Sequence, residues 1–442
     1  MKPIKSIYIT LLLGLTLLWL IADPLLSADY QFFALRKSFI NYTGIIAMGA
    51  MSVGMMLAIR PVSIESFTGG LDKTYRLHKW LGITGLVFAI IHYLWKYVPK
   101  WMVGWGLLEK PARGPRPVQS SEILNFFQHQ HGLAETIGEW AFYVAVLLIA
   151  LALIKRFPYR YFFKTHRFLA IAYLFLVFHA VVLMKFSYWG EIIGPLMLLL
   201  MIGGTIGAFI SLFRKVGFKR RALGVIEELH RHKDNRVLKV LIRLKDRWSG
   251  HDAGQFAFVT FDQQEGPHPF TISSAWQDDG RLCFHIKGIG DYTNTLPDKL
   301  KSGDLVTVEG PYGRFNFSSD KPRQIWVAGG IGITPFIARI QALMNKTDGK
   351  IIDLFYSTDA PDEEFIDKLR DSAKAANVNL HLLIPAKDGF LTAERIHQAV
   401  PNWQDADIWF CGPKGFGESL FQDFTQAGLP TRGFHQELFE MR

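Results

Sequence analysis

The sequence contains only two cysteines among its 442 residues, Cys283 and Cys411. Two thiols exclude a disulfide framework, a cysteine-based zinc site and a [2Fe–2S] centre held by four thiolates. The chain also lacks internal repeats, low-complexity tracts and a calcium-binding loop of the EF-hand pattern. Its 49 Lys and Arg exceed its 39 Asp and Glu. These basic residues border apolar stretches and form no separate basic domain, which argues against nucleic acid as a partner.

Six apolar stretches are long enough, or nearly so, to cross a lipid bilayer. They are about 6–22, 40–59, 78–97, 135–154, 166–184 and 190–213. The first is short enough to be the apolar core of a signal peptide, but no cleavage motif precedes Asp23, so a retained helix is favoured. Lys and Arg cluster after the second, fourth and sixth stretches, which places both termini in the cytoplasm. The sequence therefore predicts a multi-pass protein of the cell membrane.

Two pairs of histidines lie inside the third and fifth of these stretches. His78 and His92 are 14 residues apart, and His166 and His179 are 13 residues apart. At about 1.5 Å of rise per residue, each pair extends over about 20 Å of helix, which is most of the roughly 30 Å hydrocarbon core. An imidazole at that depth is costly unless something binds it. Two such helices side by side would offer one histidine pair near each membrane face, which predicts two b-type haems with bis-His iron.

The third and fifth stretches run in the same direction, so the topology pairs His78 with His166 and His92 with His179. A step of 14 residues returns to within about 40° of the same helix face, whereas a step of 13 residues misses it by about 140°. The fifth stretch should therefore contain a local irregularity, or its two haems should be approached from different sides. The alternative is that these histidines form hydrogen bonds between helices, but two nearly equal spacings make that hard to obtain by chance.

The pattern changes after Arg221 to short, alternating segments that are rich in β-branched and aromatic residues. They predict a small antiparallel barrel or sandwich and lie at 237–244, 254–261, 281–287 and 305–309. From about Lys321 the segments alternate between apolar strands and helices joined by Gly loops, which predicts an α/β doubly wound domain with a parallel sheet. The predicted order is a membrane all-α six-helix bundle, an antiparallel β-barrel and the α/β domain, at 1–215, 216–319 and 320–442.

Two motifs in the predicted barrel suit a large cofactor with a flat ring and phosphates. Residues 268–274 offer an aromatic ring to lie against the cofactor, hydroxyls for its polar edge and an imidazole for a phosphate. Residues 285–293 contain a Gly turn whose backbone N–H groups, with Lys287 and Thr293, suit a pyrophosphate. An ordinary barrel strand is the alternative interpretation of the first motif.

A third motif, at 327–335, is a Gly-rich loop that follows a strand and opens a helix, as a dinucleotide-binding loop does. It departs from the Rossmann fingerprint because Pro335 stands where the third glycine would be. A Gly-rich turn without a ligand is the alternative here.

With these motifs, the soluble half resembles the ferredoxin–NADP⁺ reductase family, which binds FAD on a barrel strand and nicotinamide at GGxGxxP and CGP loops. The first motif, at 268–274, has the form found in the NADPH oxidase and ferric reductase branch of that family. The membrane half is similar to the transmembrane domain of the same branch. The resemblance implies FAD at His268, Pro269, Phe270, Thr271, Ser274, His285, Lys287, Gly290, Asp291 and Thr293. It implies NADPH or NADH at Gly329, Gly330, Gly332, Thr334, Pro335, Ser357, Cys411, Gly412 and Pro413.

The resemblance also implies two residues close to the reacting rings, Cys411 and Phe439. Phe439 is the aromatic residue expected to cover the flavin, although it is not the last residue of the chain. At the end of the second nucleotide strand, Ser357 and Thr358 suit a 2′-phosphate, while Asp359 suits a free ribose hydroxyl. The sequence leaves NADPH and NADH both open.

The predicted function is a membrane oxidoreductase that carries electrons from cytoplasmic NAD(P)H through FAD and two haems to an acceptor on the far side. Ferric or other metal chelates are the predicted acceptor and reduction of O₂ to superoxide is the alternative; the resemblance favours these two enzymatic functions. A third possibility is an electron-transfer protein that reduces a partner protein. His129 and His131, beside Glu135 in the predicted outer loop, could hold a metal or polarise O₂, but exposed loop histidines more often do neither. The oligomeric state stays open.

Overall fold

The computed structural model describes residues 2–23, 32–109, 122–154, 156–232 and 235–437. The chain divides into two compact units, with the boundary between Val216 and Gly217. Among the described residues, the first unit is helical and the second contains two β-sheets.

Helices of the first unit make six candidate membrane spans, which confirms the predicted number. The helices are α1 (Lys2–Ala22), α2 (Phe32–Ala58), α3 (Val62–Thr68), α4 (Leu71–Gly104), α5 (Glu122–Leu153), α6 (Tyr159–His166), α7 (Leu169–Leu183) and α8 (Ile193–Leu212). The helices α6 and α7 together form one span, and α3 is too short to be a span.

The helices α4 and α5 are longer than the sequence suggested. They contain 34 and 32 residues, or about 50 Å at about 1.5 Å per residue, against a hydrocarbon core of roughly 30 Å. The extra turns at 71–77 and 122–134 carry polar side chains, and the extra turns of α4 after Tyr97 include Pro99, which is why the sequence pattern made the helices too short. The expectation that His129 and His131 lie in a loop is wrong, because both belong to the first turns of α5.

Small residues bring α8 close to α2. A Cβ at Gly207 would lie 2.6 Å from the carbonyl oxygen of Met55, and a Cβ at Gly204 would lie 2.1 Å from the hydroxyl of Tyr173. That hydroxyl forms a 2.8 Å hydrogen bond with Ser52 of α2. Close backbone approach and buried hydroxyl pairs are the contacts expected between helices in lipid, where no hydrophobic force favours association.

The fifth span contains the predicted irregularity, between His166 and Leu169. The N–H groups of Phe168, Ala170 and Ile171 donate to carbonyls three residues earlier, at 3.0, 3.1 and 3.0 Å. This is the tighter 3₁₀ pattern, which turns the chain by about 120° per residue where an α-helix turns it by about 100°. On an ideal α-helix, a 13-residue step would leave His179 roughly 140° away from the face that carries His166. The extra rotation in the 3₁₀ turn makes up part of this angle.

The first sheet of the second unit is an antiparallel barrel, as predicted. Its six strands are β1 (Arg221–His232), β2 (Val237–Leu244), β3 (Phe256–Thr260), β4 (His268–Thr271), β5 (Arg281–Lys287) and β6 (Leu305–Tyr312), in the order β4-β3-β6-β1-β2-β5. A bridge between Ile272 and Phe284 joins the two ends of this order. Helix α9 (Asp291–Lys299) follows β5, and the barrel interior is apolar.

The second sheet is parallel and carries helices on both faces, which confirms the doubly wound prediction. The strands β7 (Arg323–Gly329), β8 (Ile351–Ser357), β9 (Val378–Leu383), β10 (Ala406–Cys411) and β11 (Phe434–Gln436) lie in the order β11-β10-β7-β8-β9. The helices are α10 (Thr334–Asn345), α11 (Glu363–Ala375), α12 (Pro385–Asp388), α13 (Ala393–Ala399) and α14 (Lys414–Gln426). Along β7, Trp326 belongs to the core on one face and Val327 to the core on the other.

Candidate functional site

The four membrane histidines face each other in the two predicted pairs. The ring centres of His78 and His166 are 6.0 Å apart, and those of His92 and His179 are 6.2 Å apart. Two metal–imidazole bonds of about 2 Å each place the centres of two axial rings about 6 Å apart. Each pair therefore has the spacing that a single metal ion between two imidazoles requires.

The other ring nitrogen of three of these histidines has a backbone partner. His78 Nδ1 lies 2.9 Å from the carbonyl oxygen of Gly54, and His92 Nδ1 lies 2.9 Å from that of Ile40. His179 Nδ1 lies 2.8 Å from the carbonyl oxygen of Ala134. A carbonyl oxygen can only accept, so each Nδ1 carries the proton and each Nε2 keeps its lone pair. This is the arrangement that fixes the tautomer of metal-binding histidines.

His166 differs from the other three histidines. Its Nδ1 atom is buried and has no hydrogen-bond partner among the described residues. Its ring stacks on that of Phe162, with 5.0 Å between the centres. With two opposed imidazole pairs and three carbonyl-fixed tautomers, the donor set would fit two haems, each held by one pair.

A cavity of about 290 Å³ opens beside His92 and His179. Its apolar wall includes Met48 and Met51 of α2. Its charged lining consists of Arg36, Lys96, Lys100, Glu135 and Glu139. An apolar slot with charged groups in its lining suits a large, flat, amphipathic ring that bears carboxylates.

In the second unit, the predicted FAD residues lie around β4 and the start of α9. The ring of His268 stacks on Tyr292 at 4.5 Å and lies 6.4 Å from that of Phe270. Burial lowers the pKa of His268, so the imidazole is neutral near pH 7. Pro269 lies between His268 and Phe270 on β4, and Thr271 is the buried last residue of this strand.

Several hydroxyls of these motifs already have backbone partners. The Ser274 hydroxyl accepts from the N–H of Cys283 at 3.1 Å. The Thr293 hydroxyl accepts from the N–H groups of Ile289 and Gly290, at 3.0 and 3.1 Å. Thr293 therefore caps α9, which begins at Asp291, and holds the Gly turn in shape. The structure gives Ser274 and Thr293 a supporting position beside the candidate cofactor site.

The two predicted nicotinamide loops meet at the carboxyl edge of the parallel sheet, where α/β folds bind nucleotides. A Cβ at Gly332 would lie 2.1 Å from the carbonyl oxygen of Cys411, and a Cβ at Gly329 would lie 2.7 Å from Pro413. Gly412 is as tightly placed, because its Cβ would lie 3.0 Å from the backbone nitrogen of Gly329. The three glycines are needed because the loops touch through their backbones.

The Gly loop ends in a helix whose start is reinforced. The Thr334 hydroxyl donates to the carbonyl oxygen of Ile331 at 3.1 Å, and Pro335 follows in the first turn of α10. A Cβ at Gly330 would lie 3.9 Å from the ammonium nitrogen of Lys287, so this loop approaches the barrel motif that carries Lys287. At the end of β8, Ser357 is half-buried and aligned with Gly329.

Of the two residues predicted to lie at the reacting rings, the structure describes Cys411 and does not describe Phe439. Phe439 lies outside the described residues, which end at Glu437. Cys411 is fully buried at the end of β10, and burial raises the pKa of its thiol well above the usual value. Cys411 is therefore a neutral thiol packed in the core. His285 is largely buried, and burial together with the nearby His232 lowers its pKa to about 4.

Some features of the site were not found from the sequence. The carbonyl acceptors of the histidines belong to apolar residues and glycines, which carry no sequence signal for this role. Gly138 is another such feature, because its Cβ would lie 1.9 Å from His179 Nδ1. A glycine inside an apolar helix was the available signal, but a glycine in a membrane helix has many causes.

Comparisons with known proteins assign both units. The profile described as "Ferric reductase like transmembrane component" matches residues 43–177, and that of an FAD-binding domain matches residues 226–316. A superoxide-generating NADPH oxidase heavy chain of Dictyostelium discoideum is 26% identical, over 66% of this chain and 67% of the relative. A CDP-6-deoxy-L-threo-D-glycero-4-hexulose-3-dehydrase reductase of Yersinia pestis is 25% identical, over 42% of this chain and 59% of the relative. A solved ferredoxin reductase of carbazole 1,9a-dioxygenase superposes with a TM-score of 0.43 at 20% identity, over 50% of this chain and 69% of that chain.

The chain thus joins a ferric-reductase-like transmembrane domain to an FAD-binding domain and a parallel-sheet α/β domain, and it is a multi-pass membrane oxidoreductase. The chain is thus similar to ferric reductases in its transmembrane part and to a superoxide-generating NADPH oxidase over 66% of its length. The chain spans about two thirds of the length of the Dictyostelium oxidase and less of the Yersinia reductase.

Proposed function

We propose that the protein passes electrons from cytoplasmic NAD(P)H, through FAD and two b-type haems, to a small acceptor on the far side of the membrane. The proposed domains are 1–215 for the haems, 216–319 for FAD and 320–442 for NAD(P)H. The observation that carries the proposal is the face-to-face placement of two histidine pairs, with ring centres 6.0 and 6.2 Å apart.

The residues of the membrane unit would hold the haems in two layers. His78 and His166 would ligate the inner iron, and His92 and His179 the outer iron. Each haem, when bound, supplies a centre that accepts and releases one electron at a time. The chain contributes two facing imidazoles per site and an apolar surround that excludes water. The cytoplasmic position of the FAD unit follows from the distribution of Lys and Arg around the spans.

The residues of the second unit would place two cofactors for hydride transfer. The loops at Gly329–Pro335 and Cys411–Pro413 would bind the nicotinamide nucleotide, and β4 with the start of α9 would bind FAD. The backbone contact between the two loops supports a nicotinamide site at this edge of the sheet. The cofactors supply the redox chemistry, and these residues supply binding and orientation.

We propose a ferric chelate as the acceptor. The cavity beside the outer histidine pair is lined by three cations, Arg36, Lys96 and Lys100, against the two carboxylates of Glu135 and Glu139, and this excess of one positive charge suits an anionic chelate. The similarity of the transmembrane unit to ferric reductases favours the same acceptor. Reduction of O₂ is the second candidate, and the specific observation in its favour is the similarity to a superoxide-generating oxidase over 66% of the chain.

The deciding experiment is stepwise reduction of the detergent-purified protein. NADPH or NADH is added without oxygen while flavin and haem absorbance are followed, and then air or ferric citrate is admitted. Haem that reoxidises quickly with ferric citrate and slowly in air supports the chelate reductase. Fast reoxidation in air with superoxide release overturns the chelate and supports the oxidase. Absence of haem bands refutes the electron path itself.

A further inference from the structure

Helix α4 contains a proline seven residues after the histidine that faces His179. Pro99 has no N–H, so it cannot donate to the carbonyl four residues earlier, which is that of Trp95. Its ring also crowds that carbonyl. A carbonyl without a donor is costly in a membrane helix, because lipid offers no replacement. The turn of α4 just beyond His92 therefore requires a donor from elsewhere.

Arg36 of α2 supplies that donor. Its Nε donates to the carbonyl oxygen of Trp95 at 3.0 Å, and one terminal nitrogen donates to that of Lys96 at 3.0 Å. The planar guanidinium presents several N–H groups in a fixed fork, so one side chain serves two adjacent carbonyls. Arg36 thereby replaces the hydrogen bond that Pro99 removes.

The contact is part of one continuous face of α2. Arg36, Phe39, Ile40 and Thr43 recur at helical spacing and all meet α4. Phe39 stacks on Trp95 at 5.2 Å, nearly parallel at 7°. Ile40 accepts from His92 Nδ1 at 2.9 Å, and the Thr43 hydroxyl lies 3.3 Å from the same atom. The turn that Arg36 holds is thus the next turn after the one that carries His92.

We propose that Arg36 is a positioning residue for His92: by holding the turn that Pro99 leaves without a donor, it sets the imidazole that would ligate the outer haem. The inference rests on the proposed haem ligation by His92. Arg36 also lines the cavity beside His92 and His179. The competing role is therefore purely electrostatic, in which its positive charge attracts the carboxylates of a ligand in that cavity.

Pro99 allows the two roles to be separated. Arg36→Met removes the charge and the donors, whereas Arg36→Lys keeps the charge and loses the planar fork. Pro99→Ala restores an N–H to α4 without restoring any charge. The double variant Arg36→Met with Pro99→Ala therefore has a supported helix and an uncharged position 36.

The experiment measures haem per chain, the midpoint potential of each haem and the thermal midpoint of the purified full-length protein. We expect Arg36→Met to reduce haem from two per chain towards one and to shift the remaining outer-haem potential, with the inner haem unchanged. Arg36→Lys should lose nearly as much of the outer haem as Arg36→Met. Adding Pro99→Ala to Arg36→Met should recover most of the outer haem and the wild-type potential, and Pro99→Ala alone should resemble the wild type.

Retention of the outer haem in Arg36→Lys, together with no recovery on adding Pro99→Ala, would overturn the proposal in favour of charge. The thermal unfolding midpoint keeps the test valid even if Arg36→Met binds no haem. The proposed helix contact does not need haem, so adding Pro99→Ala should raise the midpoint of haem-free Arg36→Met as well. Failure of the proposed function has a different outcome: the wild type would then contain no haem, while the recovery of the thermal midpoint by Pro99→Ala would persist.

Discussion

Gly138 of α5 leaves the space that the imidazole of His179 occupies. A Cβ at position 138 would lie 1.9 Å from Nδ1 and 2.5 Å from two ring carbons of His179. The same ring lies 2.8 Å from the carbonyl oxygen of Ala134, one turn earlier on α5. Helix α5 therefore positions His179 in two ways: Gly138 leaves room for the imidazole, and the carbonyl oxygen of Ala134 accepts its Nδ1 proton.

The substitution Gly138→Ala should displace His179 from its position opposite His92. We expect the affinity for the outer haem to fall about 10–100-fold, the usual effect of disturbing the support of a metal ligand. Haem content and spectra of the purified protein measure this. Gly132→Ala on the same helix is the matched control, because a Cβ there meets nothing within 4 Å. Equal haem loss in both variants would show that the helix, and not the ligand, had been disturbed.

Replacing an outer histidine should separate the two halves of the electron path. We expect His179→Ala to lose one haem of two while NADH or NADPH still reduces the flavin, because the nucleotide and flavin residues lie in the other unit. Anaerobic spectra report both steps. His131→Ala, near the start of α5, should keep both haems. A full complement of haem in His179→Ala would refute the ligand assignment.

Gly332→Ala should impair nicotinamide binding. The new methyl group would lie 2.1 Å from the carbonyl oxygen of Cys411, and such overpacking costs about 1–3 kcal/mol. We expect the KM for NADPH to rise about tenfold or more, with haem content unchanged and reduction by dithionite intact. Gly415→Ala, at the neighbouring start of α14, meets nothing within 4 Å and should keep the wild-type KM. A normal KM in Gly332→Ala would place the nucleotide elsewhere.

The largely buried His285 should make the second unit less stable in acid. Its pKa in the folded protein is lowered to about 4, first by burial and then by the charge of His232, from 6.5. Between these values the unfolded chain binds the proton and the folded chain does not, so stability falls as the pH drops from 6.5 towards 4. The full effect is about 3 kcal/mol at one pKa unit per 1.36 kcal/mol.

The thermal unfolding temperature of the second unit, followed by circular dichroism between pH 7.5 and 4.5, measures this effect. We expect His285→Leu to flatten part of the wild-type decline, while the partly buried His251 and His268, whose pKa values desolvation also lowers, preserve the rest. His230→Leu, at an exposed position on β1, should keep the wild-type slope. A slope that is unchanged in His285→Leu would contradict the assignment.

The sequence predicted the elements that hydropathy and periodicity determine. The six spans, the barrel and the parallel sheet were found, and so was the pairing of His92 with His179, because spans of known direction leave one pairing. Strand β1 was missed because a register shift between Ile226 and Glu228 interrupts its alternation. The bounds of α4 and α5 were missed because their first turns are polar and because Pro99 lies near the end of α4.

Parts of the site depended on contacts that no local pattern encodes. The spacing of His166 and His179 demanded an irregularity, but its position at Arg167 and Phe168 follows from hydrogen bonds in a segment without glycine or proline. Likewise, the role of Arg36 depends on Pro99, which is 63 positions away in the sequence. Long-range pairs of this kind are set by helix packing, which a single sequence does not reveal.

The 3₁₀ turn between α6 and α7 has a consequence for how this chain can change in length. Inserting or deleting one residue between His166 and His179 would rotate one imidazole by about 100° relative to the other. Most substitutions leave the number of residues, and therefore this angle, unchanged. We therefore expect the stretch between His166 and His179 to tolerate substitutions and to lose its function when a residue is inserted or deleted.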